Sequence, residues 1–100
     1  MIKVIAFYRA PVDYAAFIRY YRDVHLPLVR RIPGLAGLEV IEVKRSLIGE
    51  FPYVVAASMS YPDRDVFRTA MQSPEQAAVA QDLERFAAGL VTAIQAETID

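Results

Sequence analysis

The segment "IKVIAFYRAPVDYAAFIRYYRDVHLPLVRRIPG", Ile2 to Gly34, changes its hydrophobic period once, and that change decides how the rest of the chain is read. Its first eight residues, Ile2–Arg9, are rich in β-branched and aromatic side chains and stop at Ala10-Pro11, as a strand does. The two alternating faces, Ile2, Val4, Ala6, Tyr8 and Lys3, Ile5, Phe7, Arg9, are both largely apolar, so neither side of this strand is expected to meet water. From Tyr14 onward the apolar residues recur every third or fourth position, at Tyr14, Phe17, Ile18, Tyr21, Val24, Leu28 and Ile32, with His25 in the same stripe. This spacing predicts a helix that Asp13 caps, that runs to about Arg31 and that Pro33-Gly34 stops. Pro27 lies inside it and has no N–H to offer the Asp23 carbonyl, so a kink or change of direction is expected near His25.

Working outward, "GLEVIEVKRS", Gly37 to Ser46, alternates and reads as a second strand. "YVVAASMSY", Tyr53 to Tyr61, reads as a third, apolar on the face of Tyr53, Val55, Ala57, Met59 and Tyr61. The link "LIGEFP", Leu47 to Pro52, is apolar for an exposed loop, as expected of a segment that covers a pocket mouth or meets a partner subunit. Pro62 and Asp63 open a short helix to about Met71. "SPEQ", Ser73 to Gln76, joins an N-cap, a first-turn proline and a capping-box glutamine, and so starts another. Val79, Leu83 and Phe86 are its inner stripe, Gly89 its stop, and Leu90 to Thr98 a fourth strand. The order β-α-β-β-α-β predicts an α+β, ferredoxin-like sandwich, with one four-stranded antiparallel sheet and both helices on one face. The other face is apolar as well, and a second copy in a two-fold homodimer covers it most economically.

Composition agrees with one such unit. One hundred residues make a single domain, 1–100, with one core. The hydrophobic fraction of 55% exceeds what that core needs, and the surplus is assigned to a subunit interface. A net charge of −1 gives no electrostatic footprint for nucleic acid or an anionic membrane surface. No apolar run is long enough for a membrane span and no signal peptide opens the chain, so a cytoplasmic protein is expected. The absence of cysteine excludes disulfides, thiolate metal sites and cysteine nucleophiles, and a single histidine excludes a His-rich metal site. No metal or organic cofactor is therefore expected. Residues 1–45 carry eight basic and four acidic side chains and residues 46–100 three and eight, so the two halves should attract, within a chain or across a dimer.

Four stretches carry a resemblance: the opening strand "IKVIAFY", the segment "FIRYYRDVHLPLVRRIPGL" with its Tyr-x-x-x-His-x-Pro-Leu core, the strand ending "SMSYPD", and "SPEQAAVAQDLERFAAG". With these the chain resembles the EthD-like family, named for ethyl tert-butyl ether degradation, in the dimeric α/β-barrel superfamily. The resemblance implies a homodimer whose two sheets face each other as a barrel. It also implies association with catabolic or biosynthetic oxygenases. Related barrels include cofactor-free monooxygenases, lactone isomerases, polyketide cyclases or dehydratases, and haem-binding cousins in which a residue such as His25 would be the axial ligand.

His25 lies one turn after Tyr21 on the helix face directed at the sheet, where a buried imidazole must find a partner. One reading makes it a proton-transfer group lining a pocket, since imidazole titrates near neutral pH, with Tyr21 donating to a substrate oxygen. The other ties it to a backbone carbonyl freed by Pro27 or to a tyrosine hydroxyl, and leaves Tyr21 as packing. Phe17, Tyr8, Arg9, Tyr53 and Tyr61 are the weaker pocket candidates. A small apolar ligand fits either reading. Arg19 and Arg22 alternate with Asp23 as a solvated face does, and Asp63 and Asp65 sit where helix-capping carboxylates belong. No Gly-rich phosphate loop, nucleophile elbow or zinc spacing is present.

Overall fold

A computed structural model describes all 100 residues. The first strand, β1 (Ile2–Arg9), lies inside the sheet, paired antiparallel with β3 (Tyr53–Tyr61) on one side and β4 (Val91–Glu97) on the other. β2 (Gly37–Glu42) pairs antiparallel with β3, which gives the order β2-β3-β1-β4 of a ferredoxin-like sheet. The two-faced apolar pattern of β1 follows from this central place. Ile2, Ala6 and Tyr8 are buried under the helices, whereas Lys3, Ile5 and Phe7 are half-buried on the opposite face.

The predicted first helix is in fact three pieces: α1 (Tyr14–Tyr20), a π-helical turn (Tyr21–His25) and α2 (Leu26–Val29). Asp13 caps α1 by accepting from the Ala16 N–H at 3.0 Å. The expected disturbance near His25 takes the form of one wide turn, in which the Leu26 N–H bonds the Tyr21 carbonyl five residues back. Pro27 explains its place. Directly after the wide turn, Pro27 sits in the first turn of α2, where a missing N–H costs least. The helix ends at Val29 rather than Arg31, closing with tight bonds from Arg31 to Leu28 and from Ile32 to Val29, each 3.1 Å. Gly34 then turns with φ +80°, and any side chain there would collide with Val66.

α3 (Arg64–Met71) is capped by Asp63, which accepts from Val66 at 2.9 Å, and α4 (Pro74–Phe86) by Ser73, which accepts from Gln76 at 3.1 Å. The capping box is only half made: the Ser73 N–H bonds the Ala70 carbonyl, so the Gln76 side chain is left to face the interior. β2 stops at Glu42, four residues before the expected Ser46. Its last link to β3 is the 2.8 Å bond from the Val43 N–H to the Val54 carbonyl, after which Lys44 folds back onto Glu42.

The uncovered sheet face carries Ile5, Phe7, Ala56 and Ile94, with Ile94 44% and Ile41 51% exposed. The apolar loop folds toward this side, not over a pocket mouth. Phe51 packs edge-on against Phe7 at 5.8 Å and Tyr53 at 5.2 Å, while Leu47 and Ile48 stand 82% and 95% exposed. No helix is long and apolar enough to cross a membrane.

Candidate functional site: a buried His-Asp pair beside an apolar cavity

His25 closes the π turn and is 2% exposed. Its Nδ1 lies 2.9 Å from Oδ2 of Asp82 on α4, itself 2% exposed, and the Tyr20 hydroxyl donates to Oδ1 of the same carboxylate at 2.5 Å. Such short, charge-assisted bonds are what makes a carboxylate tolerable at this depth. A carboxylate can only accept, so the proton of a neutral His25 belongs on Nδ1 and the lone pair on Nε2, which makes no bond to protein. The ring is held between Tyr21, stacked at 5.6 Å and 17°, and Phe86, tilted at 4.8 Å. Burial pulls the imidazole below its ordinary pKa of 6.5, and this outweighs the upward pull of the Asp82 hydrogen bond and charge. His25 is therefore a neutral base, oriented from behind, at neutral pH.

Between sheet and helices lies a cavity of about 90 Å³, apolar except for His25, Gln76 and three tyrosines. The β-ladder builds its floor: Ala6 pairs with Ala57 on one side and Ala93 on the other, so three methyl groups span the sheet where larger residues would fill the space. Leu26, Val29, Val79 and Leu83 form the roof. Burial raises the Tyr8 hydroxyl far above its usual value and, despite the opposing pull of the Tyr8 hydroxyl, pushes Tyr21 up to about 12. Neither ionises near neutrality, so both are neutral hydrogen-bonding groups and the neutral imidazole of His25 is the one basic group lining the cavity.

Of the residues marked in the sequence, His25, Tyr21, Tyr8 and Tyr61 come together around the cavity. Phe17 does not reach it and backs the aromatic cluster, 5.6 Å from Tyr8, 5.8 Å from Tyr21 and 5.5 Å from Phe86. Arg9 and Tyr53 belong to the opposite sheet face, where the guanidinium sits 5.3 Å above the Tyr53 ring. Neither partner expected for His25, a freed carbonyl or a tyrosine hydroxyl, is the one it has. The sequence reading missed Asp82, although a signal was present. Val79, Asp82 and Phe86 follow helical three-four spacing, so a carboxylate sat on an inner stripe opposite the only buried base. Tyr20 was also missed. No ion pair between fully charged groups joins the basic and acidic halves: Lys44–Glu42, Arg64–Glu97 and Arg68–Asp65 each lie within one half, and Asp82 is reached from the first half by hydrogen bonds from neutral His25 and Tyr20.

The EthD domain family matches residues 9–89 of this chain. The chain belongs to the EthD family. An uncharacterised 11.0 kDa protein from the thcB-thcC intergenic region of Rhodococcus erythropolis is 34% identical to this EthD protein over 93 residues, 92% of this chain and 89% of the relative. The crystal structure of an ethyl tert-butyl ether degradation (EthD) family protein from Bacillus halodurans superimposes with a TM-score of 0.91 at 35% identity, covering 99% of both chains. Two more distant structures share the fold. A dimeric ferredoxin-like protein from Thermobifida fusca has a TM-score of 0.70 at 19% identity, over 97% of this chain and 90% of its own. SnoaB, a cofactor-independent oxygenase from Streptomyces nogalater, has a TM-score of 0.70 at 14% identity, over 99% and 93%.

Proposed function

We propose that this EthD protein takes a small, mostly apolar organic compound into the cavity between sheet and helices, and that His25 moves a proton there without metal or organic cofactor. One observation carries the reading: a neutral imidazole, fixed through Nδ1 by a buried carboxylate, leaves its Nε2 lone pair without a protein partner beside that cavity. Nε2 would take a proton from a carbon acid or a phenol. The imidazolium formed would be stabilised by Asp82, and the proton would return to a different atom of the bound compound. Isomerisation, cyclisation and dehydration all need only this, and the cofactor-independent oxygenase among the structural neighbours fits the same economy. Tyr21 supports the imidazole face as a neutral phenol. A porphyrin has no room in a cavity of about 90 Å³, which argues against haem at His25.

The working unit is proposed to be a homodimer joined through the uncovered sheet face. Ile5, Phe7, Ile41 and Ile94 are too apolar a set to leave in water, and a fold neighbour is described as dimeric. Sedimentation at micromolar concentration should show a dimer, and a monomer there removes this part of the proposal.

A second reading keeps the cavity but not the chemistry: a binding or accessory dimer that hands an apolar metabolite to a partner oxygenase. The two separate in one experiment. Small ketones, lactones and phenols are incubated with protein in D₂O and deuterium incorporation is followed by NMR. Accelerated exchange that His25→Gln abolishes is expected. Compounds that bind but exchange at the buffer rate would leave only the binding protein.

A further inference from the structure

Among the fully enclosed side-chain nitrogen and oxygen atoms, one has no hydrogen-bond partner. Tyr61, at the end of β3, is fully buried, and its hydroxyl makes no hydrogen bond. Its ring rests edge-on against Phe67 of α3 at 5.4 Å, so packing alone would be served equally by phenylalanine. An orphaned hydroxyl at this depth is a standing cost, and such groups are rare in native proteins unless something outside the chain satisfies them. Tyr61 lines the same cavity as His25.

The ladder places the two at different levels of the sheet. Tyr61 stands opposite Ile2, whereas Tyr8, which packs against the Tyr21 ring that stacks on His25, stands opposite Val55. Ala6, Ala57 and Ala93 lie between these levels. On the roof, Gln76 and Leu83 both line the space, and seven helical residues span about 10 Å. A cavity of about 90 Å³ lined by residues that far apart is narrow, and because benzene needs about 150 Å³, only an unbranched ligand of a few heavy atoms fits.

We infer that the Tyr61 hydroxyl binds a carbonyl or hydroxyl oxygen of the ligand, whose slender apolar chain runs over the alanine row toward His25. This rests on the cavity being the ligand site, as proposed above, and adds which ligands it admits: unbranched oxygen-bearing chains rather than compact or ring-shaped ones. The alanines set the width. Ala93 is exposed on edge strand β4, so the chain also has a way in at that edge.

The test uses three probes small enough for the cavity: 2-butanone, its compact isomer 2-methylpropanal, and 2-methylbut-1-ene, in which a methylene replaces the oxygen. Dissociation constants are read by NMR titration. The wild type should bind 2-butanone at least fivefold more tightly than the compact isomer. Tyr61→Phe should weaken 2-butanone about tenfold and leave the alkene within twofold, with a melting temperature unchanged or higher because the hydroxyl has no bond to lose. Ala57→Val should weaken both linear probes. Ala93→Val, on the exposed edge where misfolding is no concern, should do the same. Equal loss of ketone and alkene in Tyr61→Phe, no loss of either, or a preference for the compact isomer would overturn the inference. Deuterium exchange in His25→Gln answers separately for proton transfer, so the binding claim and the chemical claim can fail independently.

Discussion

The His25 and Tyr61 regions of the cavity are equally buried and treated in opposite ways. Around His25 every hydrogen-bonding position behind the ring is filled: Asp82 accepts from Nδ1 and from Tyr20, and Tyr21 and Phe86 hold the imidazole faces. At Tyr61 a hydroxyl is left with nothing. The contrast teaches that polarity in this core is not simply tolerated where it can be paired. One group is supported so that its free atom is fixed in place, while the other is unsupported and therefore costs stability until something binds it.

Mutations break the comparison at different points. The largest effect is expected from His25→Ala, which takes one of its two donors from the buried Asp82 carboxylate and should cost about 3 kcal/mol in chemical denaturation, the upper end for a buried group that loses a partner. Asp82→Asn keeps an acceptor near Nδ1 and should cost about 1–3 kcal/mol, while slowing any His25-dependent exchange because the tautomer is no longer imposed. Tyr20→Phe and Tyr61→Phe remove the same atom with opposite results. The first should lower stability because Asp82 loses a donor, and the second should gain about 1 kcal/mol because a partnerless hydroxyl leaves the core. If Tyr61→Phe proves destabilising, the two regions are not opposites.

The gentlest probe is pH. Burial lowers the folded-state pKa of His25 below the value of 6.5 it has when unfolded, so as pH falls through that value the unfolded chain takes up the proton first. The stability that neutral His25 contributes is complete above about pH 6.5 and is lost as pH falls toward the folded-state pKa. Denaturant midpoints measured between pH 7 and pH 5.5 should fall for the wild type, and His25→Gln should flatten that slope.

The fold was legible because its signals are local. Asp13, Asp63 and Ser73 all cap the helices they were expected to start, and strands β1, β3 and β4 fall within a residue of their patterned runs. β2 is shorter than its pattern because, after the Val43 bond to Val54, Lys44 turns back onto Glu42 instead of continuing along β3 toward Tyr53. The site was legible only on the segment that carries His25. Asp82 was not legible because an acid beside Gln81 and Glu84 on a helix is ordinarily solvated, and its inner position shows only once it is matched with a base far away in sequence. The alanine row could not be seen at all, since Ala6, Ala57 and Ala93 become neighbours only through strand register.

The wide turn at Tyr21–His25 has a meaning in terms of chain length. A helix with 3.6 residues per turn advances about 100° per residue, so one surplus residue rotates everything after it by that angle relative to everything before. Tyr14 to Tyr20 and Leu26 to Val29 are thus two helical pieces set out of phase by an insertion, and both nevertheless bury their apolar sides. Removing one residue between Arg22 and Val24 would restore an unbroken spiral and swing Leu26 and Val29 away from the core. A change that makes the helix more regular would make the protein worse.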